Sequence, residues 1–312
     1  MDITKASKPT VFVLDEIHPK ALEYGREIFN IIALGEPGHE KWREAEYLMI
    51  RTSHLTAADI ASCPNLKAIG KQGVGIEKID TKACDERGIK IFNTPGANSR
   101  AVAELVAALA LSLARQIPRI YAQELGGARV AKEKCSGLLL TRRTVGILGM
   151  GNIGLEVARI FSRGFDAEIV AYDPFLPSEA WADVPHKRAS SIEDVLRVSD
   201  LVTPHMPLLP ETRGLISYPQ FQIMKRNAIL VNAARGGIVS ETDLERALRE
   251  GLIWGASLDC HEEEPPSADR YGELWKQNVV STPHIGAVTE ETLIGTATVA
   301  LQRLHEFAVA DR

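Results

Sequence analysis

No feature constrains the fold of this chain more than the run from Thr144 to Asp173. It opens on Val145-Gly-Ile-Leu148, passes through Gly149-Met-Gly151-Asn-Ile-Gly154, continues as a helix-like segment and closes on Ile169-Val-Ala-Tyr-Asp173. An apolar run, glycines spaced G-x-G-x-x-G, an amphipathic stretch and a second apolar run ending in an acid make one βαβ unit with a dinucleotide site at its first turn. The glycines do different work. Gly149 permits the sharp turn out of the strand, Gly151 lets backbone approach a pyrophosphate with no Cβ between them, and Gly154 lets the helix pack closely on the strand. The N–H groups that open the helix then face phosphate charge. Asp173 ends the second strand, where a carboxylate accepts hydrogen bonds from ribose hydroxyls and repels a 2′-phosphate, so the expected cofactor is NAD rather than NADP. Glycine triplets also occur in ordinary turns; strand, helix, strand and acid in this order favour the cofactor.

The rest of the chain repeats this grammar. Between residues 10 and 95, short β-branched runs alternate with amphipathic stretches, giving strand candidates at Val11–Leu14, Asn30–Ala33, Tyr47–Arg51, Leu66–Ile69 and Ile89–Phe92. From Thr144 a second series gives six: Val145–Leu148, Glu168–Tyr172, Leu201–Thr203, Ala228–Val231, Ala256–Asp259 and Val279–Ser281. Alternation of this kind predicts parallel sheets covered by helices on both faces. Thr56-Ala-Ala-Asp59, Ser191-Ile-Glu-Asp194 and Ser240-Glu-Thr-Asp243 have the form of capping boxes with Asp in place of Glu. The helix Ala101–Gln116, stopped near Pro118 and resumed to Leu125, is apolar around nearly its whole circumference, which predicts burial between domains or subunits and a linker role. A last helix, roughly Thr289–Ala308, follows the completed second series and is free to return to the first domain.

The expected fold class is therefore α/β, with two doubly wound parallel-sheet domains, one flavodoxin-like and one a Rossmann NAD-binding domain, and a cleft between them. The expected boundaries are 1–100 with 286–312 for a discontinuous substrate-binding domain, and 101–285 for the NAD-binding domain. A length of 312 residues suits two such domains, and 45% hydrophobic with 25% charged residues is ordinary for a globular enzyme. A net charge of −5 argues against a nucleic-acid binder. The most apolar stretch, Ala101–Ala114, is interrupted by Glu104 and is short for a bilayer span, so no membrane partner is expected. The stretch Met1–Pro9 lacks the apolar core of a signal peptide, so the expected location is cytoplasmic. Cys63, Cys84, Cys135 and Cys260 show no C-x-x-C pairing and are expected as free thiols, with Cys260 as buried filler and no metal site.

In a doubly wound sheet, ligands lie beyond the carboxyl ends of the strands. Three such ends carry unusual residues: Asn232-Ala-Ala-Arg235-Gly-Gly, Asp259-Cys-His-Glu-Glu-Glu264-Pro, and Thr282-Pro-His284-Ile-Gly286. Reduction of a 2-oxo acid by NADH needs this set of groups. Hydride addition leaves charge on the carbonyl oxygen, which a histidine can protonate near neutral pH; His284 is the candidate. A neighbouring carboxylate favours the imidazolium and holds the ring; Glu264 is the candidate, while Glu262 and Glu263 read as a solvated run. A substrate carboxylate needs a planar, permanently charged partner, which Arg235 supplies.

Taken together, these segments resemble the D-isomer-specific 2-hydroxyacid dehydrogenase family. The resemblance spans nearly the whole chain and rests also on Gly73-Val-Gly75-Ile-Glu-Lys-Ile-Asp80, Asn93-Thr-Pro-Gly96-Ala-Asn-Ser99, Val102-Ala-Glu104 and His205-Met-Pro-Leu-Leu-Pro-Glu-Thr212. It implies Arg235 as carboxylate and carbonyl binder, Glu264 as partner of the acid, and His284 as proton donor or acceptor. It implies substrate contacts from the backbone at Val74 and Gly75 and from Ser53. Beyond the glycines and Asp173, it implies cofactor contacts from Asn152, Ile153, His205, Pro207, Thr212, Ala233, Arg235 and Asp259. His205 can equally be a loop histidine capping a strand end, and Gly73 and Gly75 can form a plain tight turn. The chain departs from the pattern in lacking a tryptophan after Gly127.

The reading is an NAD-dependent oxidoreductase acting at C2 of a small 2-oxo or 2-hydroxy acid, D-stereospecific, with a 3-phosphoglycerate-like or hydroxypyruvate-like substrate, a homodimer by family resemblance, and a short form with no regulatory domain after Arg312. Two alternatives stand beside it. A formate or phosphite dehydrogenase could share the frame, although family formate dehydrogenases usually carry Gln in place of the glutamate. An NAD-sensing co-repressor could share the fold and keep the same residues.

Overall fold

The computed structural model describes residues 8–177 and 179–311; residues 1–7, which hold most of the stretch read for a signal core, lie outside them. The described chain forms two compact units, one reaching to Asn98 and resuming at Ala287, the other Ser99–Gly286. In the first, β1 (Thr10–Val13), α1 (Pro19–Ile28), β2 (Asn30–Ala33), β3 (Tyr47–Ile50), α2 (Ala57–Ala61), β4 (Ala68–Lys71), α3 (Thr81–Glu86) and β5 (Lys90–Phe92) build a five-stranded parallel sheet in the order β2-β1-β3-β4-β5. That is the flavodoxin-like order. The central strand β3, Tyr-Leu-Met-Ile, is buried at every position, as a strand covered on both faces must be. β4 begins two residues later than Leu66–Ile69 predicts. Leu66 belongs to the turn after Pro64, its N–H bonded to the Cys63 carbonyl, and pairing with β3 begins at Ala68.

The second unit opens with α4 (Ser99–Ala114) and α5 (Ile117–Leu125), then β6 (Thr144–Leu148), α6 (Asn152–Phe165), β7 (Glu168–Tyr172), β8 (Lys187–Arg188), α7 (Ile192–Val198), β9 (Leu201–Pro204), α8 (Tyr218–Ile223), β10 (Ile229–Asn232), α9 (Glu241–Arg249), β11 (Gly255–Leu258), α10 (Ala268–Trp275) and β12 (Val279–Ser281). Its sheet runs β12-β11-β10-β9-β6-β7-β8, all parallel. Counting from β6, this is the Rossmann order 3-2-1-4-5-6 with one further strand. The sequence predicts six of these strands; β8 is the seventh, and its two residues, Lys-Arg, carry no apolar run to announce it. Reciprocal capping forms at Thr56 and Asp59, whose carboxylate accepts the Thr56 N–H at 3.0 Å, while Ser191 and Ser240 cap α7 and α9 in one direction.

Helix α4 corrects one expectation. Its buried residues, among them Val102, Val106, Leu109 and Leu113, pack on α6 and on β10 and β11 inside the second unit, so its apolar circumference is largely that unit's own core. The chain breaks after α4 at Gln116, a non-glycine residue in the left-handed region with φ 55°, and Pro118 opens α5. The final helix, α11 (Glu290–Ala310), packs on α1, β3 and β4, burying Ala297, Ala300, Leu301, Leu304 and Ala308 in the first unit's core. All four cysteines are free. No single described helix is long and apolar enough to cross a membrane; α4 and α5 reach that only together, across a 61° bend.

Candidate active site

Because every strand of the second sheet is parallel, their carboxyl ends share one edge, and each sequence-predicted residue of this unit leaves from it. Gly149 follows β6, Asp173 follows β7, His205 follows β9, Arg235 follows β10, Asp259 follows β11 and His284 follows β12.

The glycine turn fits a dinucleotide. Gly149 has φ 99°, and a Cβ there would meet the His205 carbonyl oxygen at 2.5 Å; a Cβ on Gly154 would collide with the Gly149 carbonyl. Gly151 differs, since its Cβ would enter open space. Sterics within the protein do not demand glycine there, whereas close approach of a pyrophosphate does. Gly151 caps α6 with no side-chain hydrogen bond, leaving the first-turn N–H groups of Asn152 and Ile153 aimed at that space. Asp173 Oδ2 accepts the Met150 N–H at 2.9 Å and Oδ1 accepts those of Phe175 and Leu176, so the acid also fixes the turn beside it. His205 is half-buried with Nε2 3.0 Å from Thr203 Oγ1, while Nδ1 is buried with no partner among the described residues. Burial lowers its pKa to about 3, so the ring is neutral. An orphaned ring nitrogen at this edge suits a ligand better than a plain strand cap. In the following loop, Thr212 Oγ1 donates to the Pro207 carbonyl at 2.7 Å and accepts the Leu209 N–H.

Three loops form the chemical end. Asn232 ends β10 and folds the next turn around itself: Oδ1 accepts the Ala234 N–H at 3.1 Å and Nδ2 donates to the Arg235 carbonyl at 2.9 Å. This holds Ala233 and Ala234 buried and presents Arg235. Gly236 must be glycine, because a Cβ would strike the His261 carbonyl; the Arg235 loop thereby lies against the loop after β11. There, Asp259 is fully buried and spends its carboxylate on the β12 loop, accepting Thr282 Oγ1 at 2.7 Å, the Ile285 N–H at 2.8 Å and the Gly286 N–H at 2.9 Å. His284 sits between those anchors.

His284 Nδ1 lies 3.0 Å from both oxygens of Glu264, and both side chains are partly exposed. Burial alone would raise the Glu264 carboxyl, but the hydrogen bond and charge of His284, with the His261 N–H at 3.2 Å, outweigh it and hold the group below its usual range. The ring nitrogen facing away, Nε2, is then the one to exchange a proton with a ligand. Glu262 is not simply solvated. Its N–H donates to Glu241 Oε1 at 2.8 Å and its Oε1 accepts the Glu241 N–H, tying this loop to the start of α9.

In the first unit, Ser53 follows β3 and Val74 and Gly75 follow β4, on neighbouring strand ends. Two supports emerge only from the structure. Asp15 accepts the N–H groups of Arg51 and Ser53 and the Thr52 hydroxyl; burial opposes its ionisation, but these donors prevail and lower its pKa. Asn93 Nδ2 donates to the Val74 carbonyl at 2.7 Å, and buried Thr94 accepts the Gly73 N–H and returns its own to Gly73. Asn93 and Thr94 open the Asn93–Ser99 motif, which by itself points to no role for either, and Asp15 has only its place after a strand to mark it.

Residues 107–286 match the family described as D-isomer specific 2-hydroxyacid dehydrogenase, NAD binding domain. The chain is 36% identical over 301 residues to the D-3-phosphoglycerate dehydrogenase of Methanocaldococcus jannaschii, covering 95% of this chain and 57% of that one. It is 38% identical over 250 residues to the hydroxypyruvate reductase of Thermotoga maritima, covering 80% of each. The crystal structure of the TT0316 protein from Thermus thermophilus matches with a TM-score of 0.84 and 32% identity over 97% of both chains. The chain thus spans little more than half the length of its archaeal relative.

Proposed function

This chain belongs to the D-isomer-specific 2-hydroxyacid dehydrogenase family, and from that premise we propose that it transfers a hydride between NADH and C2 of a small 2-oxo acid, forming the D-2-hydroxy acid. The observation that carries the proposal is the convergence of Arg235, Asp259 and the His284–Glu264 pair from the carboxyl ends of adjacent strands on the sheet edge that also holds the glycine turn. The nicotinamide, when bound, supplies or accepts the hydride. Arg235 binds the substrate carboxylate and polarises the carbonyl, and the N–H groups of Val74 and Gly75, with Ser53, add contacts to the carboxylate. In reduction, His284 delivers a proton to the carbonyl oxygen, and Glu264 stabilises the charged ring beforehand and orients it; in oxidation the same nitrogen takes the proton back. Asp259 fixes the His284 loop. The names of the two relatives suggest three-carbon substrates, phosphorylated or not.

NADH oxidation with hydroxypyruvate, phosphohydroxypyruvate, glyoxylate, pyruvate and bulkier 2-oxo acids tests this reading. Turnover with at least one is expected, and failure with all of them overturns it. NADPH used as efficiently as NADH would contradict the role given to Asp173 alone.

The same proposal includes a homodimer and a cytoplasmic site of action. Leu111, Ile117, Tyr121, Leu125 and Leu139 are exposed apolar residues on or near α4 and α5, which favours a partner on that face. Four free thiols suit a reducing compartment. Sedimentation of the chain at the mass of a monomer would remove the dimer.

A further inference from the structure

Cys260 stands beside the proposed acid–base pair without a part in it. It follows Asp259 at the end of β11, is 1% exposed, and lies with Sγ 3.4 Å from the Ala234 carbonyl oxygen. Burial first, and then the charges of Asp259 and Glu264, push its thiol far above the usual range. It is therefore protonated at neutral pH and is no nucleophile. Yet one donor atom each from Cys260, Glu264 and His284 lie within 4.8 Å of one another.

We propose that Cys260, Glu264 and His284 form an inhibitory binding site for a thiophilic divalent cation, with Zn2+ as its natural probe. Tetrahedral zinc with sulfur at about 2.3 Å and nitrogen or oxygen at about 2.0–2.2 Å holds its ligand atoms roughly 3.3–3.7 Å apart. His284 Nδ1 and the Glu264 oxygens, at 3.0 Å, must open slightly, and Sγ must close from within 4.8 Å of them. Sulfur, imidazole nitrogen and carboxylate oxygen together select zinc over magnesium or calcium, which favour oxygen. The fourth position opens toward the exposed side of Glu264 and His284, where water completes the shell. Asp259 and Glu264 offset the opposing charge of nearby Arg235.

Protons balance without any redox change. The Cys260 S–H bond breaks, its proton leaves to solvent and sulfur binds the metal; the His284 Nδ1–H that faces Glu264 also gives up its proton, Nδ1 turns its lone pair to the ion, and the bound ring carries one proton on Nε2, which a ring that starts neutral takes back from solvent. Binding thus releases one proton when His284 starts neutral and two when it starts as imidazolium, so affinity rises with pH. The inhibitory consequence rests on the proposed function, because the metal replaces the Glu264–His284 hydrogen bond; the binding itself does not.

The test is titration of the whole chain with Zn2+ against a chromophoric chelator, for the parent, Cys260→Ser and Cys260→Ala. The parent is expected to bind one equivalent more than either variant, or to bind it about tenfold or more tightly. Co2+ in place of Zn2+ should give a sulfur-to-metal charge-transfer band in the parent alone. Zn2+ should suppress NADH oxidation by the parent, reversibly with chelator, while the variants keep their turnover. Equal Zn2+ binding by parent and folded variants overturns the site, and binding without inhibition overturns its inhibitory role. If no 2-oxo acid supports NADH oxidation without metal, the proposed function fails while the zinc stoichiometry still decides the site.

Discussion

His284 has φ 59°, a left-handed conformation that costs a residue with a Cβ about 1–2 kcal/mol. The chain maintains it through Asp259, which holds the two following N–H groups, and the result sets Nδ1 against Glu264. Glu264→Gln keeps an acceptor for that nitrogen but removes the charge. Since a charge-assisted bond exceeds a neutral one by about 1–1.5 kcal/mol, a loss of about tenfold in kcat for reduction is expected, with KM little changed. The pH profile carries the sign. Glu264 titrates below 4.5 in the folded chain, so its ionised contribution is intact above that value and is lost as pH falls through the depressed one. An acid limb from Glu264 therefore lies below pH 4.5 in the parent and is absent from the variant. Steady-state kinetics across pH, with a structural probe to exclude acid unfolding, measures both. Arg235, Glu264 and His284 were legible because each follows a strand within a few residues and has a distinctive neighbour. Asp259 was legible only in part: resemblance placed it near the cofactor, whereas its bonds to residues 282–286 join segments more than twenty residues apart and leave no local pattern.

At the scale of elements, strand ends matter because of what anchors the loops after them. Asp15 gathers residues 51–53 from the end of the neighbouring strand, just as Asn93 and Thr94 gather residues 73–74. Asp15→Asn keeps one acceptor oxygen but lacks the charge that the backbone donors favour. It is expected to raise KM for the 2-oxo acid more than it lowers kcat, and to reduce stability at neutral pH by about 1–3 kcal/mol. The folded Asp15 titrates below 3.8, so the stabilisation is present above that value and disappears as pH falls through the depressed one; parent and variant should converge in acid. Denaturant unfolding at pH 7 and near pH 3 reads this out. The strands themselves were legible through buried apolar runs such as β3 and β10. β8 was not, since a two-residue edge strand owes its pairing to β7 rather than to its own residues. The supports on Asp15 and Asn93 were hidden for the same reason, because tertiary contacts set them.

For the whole molecule, the first unit depends on the chain's last described helix. α11 buries Ala297, Ala300, Leu301 and Leu304 in that unit's core, and its backbone and Thr296 accept hydrogen bonds from Gln72, immediately before the Gly73 loop. Removal of residues 287–312 is expected to unfold the first unit and leave Ser99–Gly286 as a protease-resistant fragment that still binds NADH; loss of both units together would show that the second cannot stand alone. The two α/β series were plain in the sequence through their alternating periodicity. The central claim is chemical, that the strand-end edge of the second unit binds a 2-oxo acid through Arg235 beside a proton-donating His284. The most direct measurement is kcat/KM for Arg235→Ala with the best 2-oxo acid, alongside NADH affinity by fluorescence. Two charge-assisted hydrogen bonds are worth about 3–6 kcal/mol, so a loss of roughly two to four orders of magnitude is expected while NADH binding changes far less. Turnover equal to that of the parent would contradict the account.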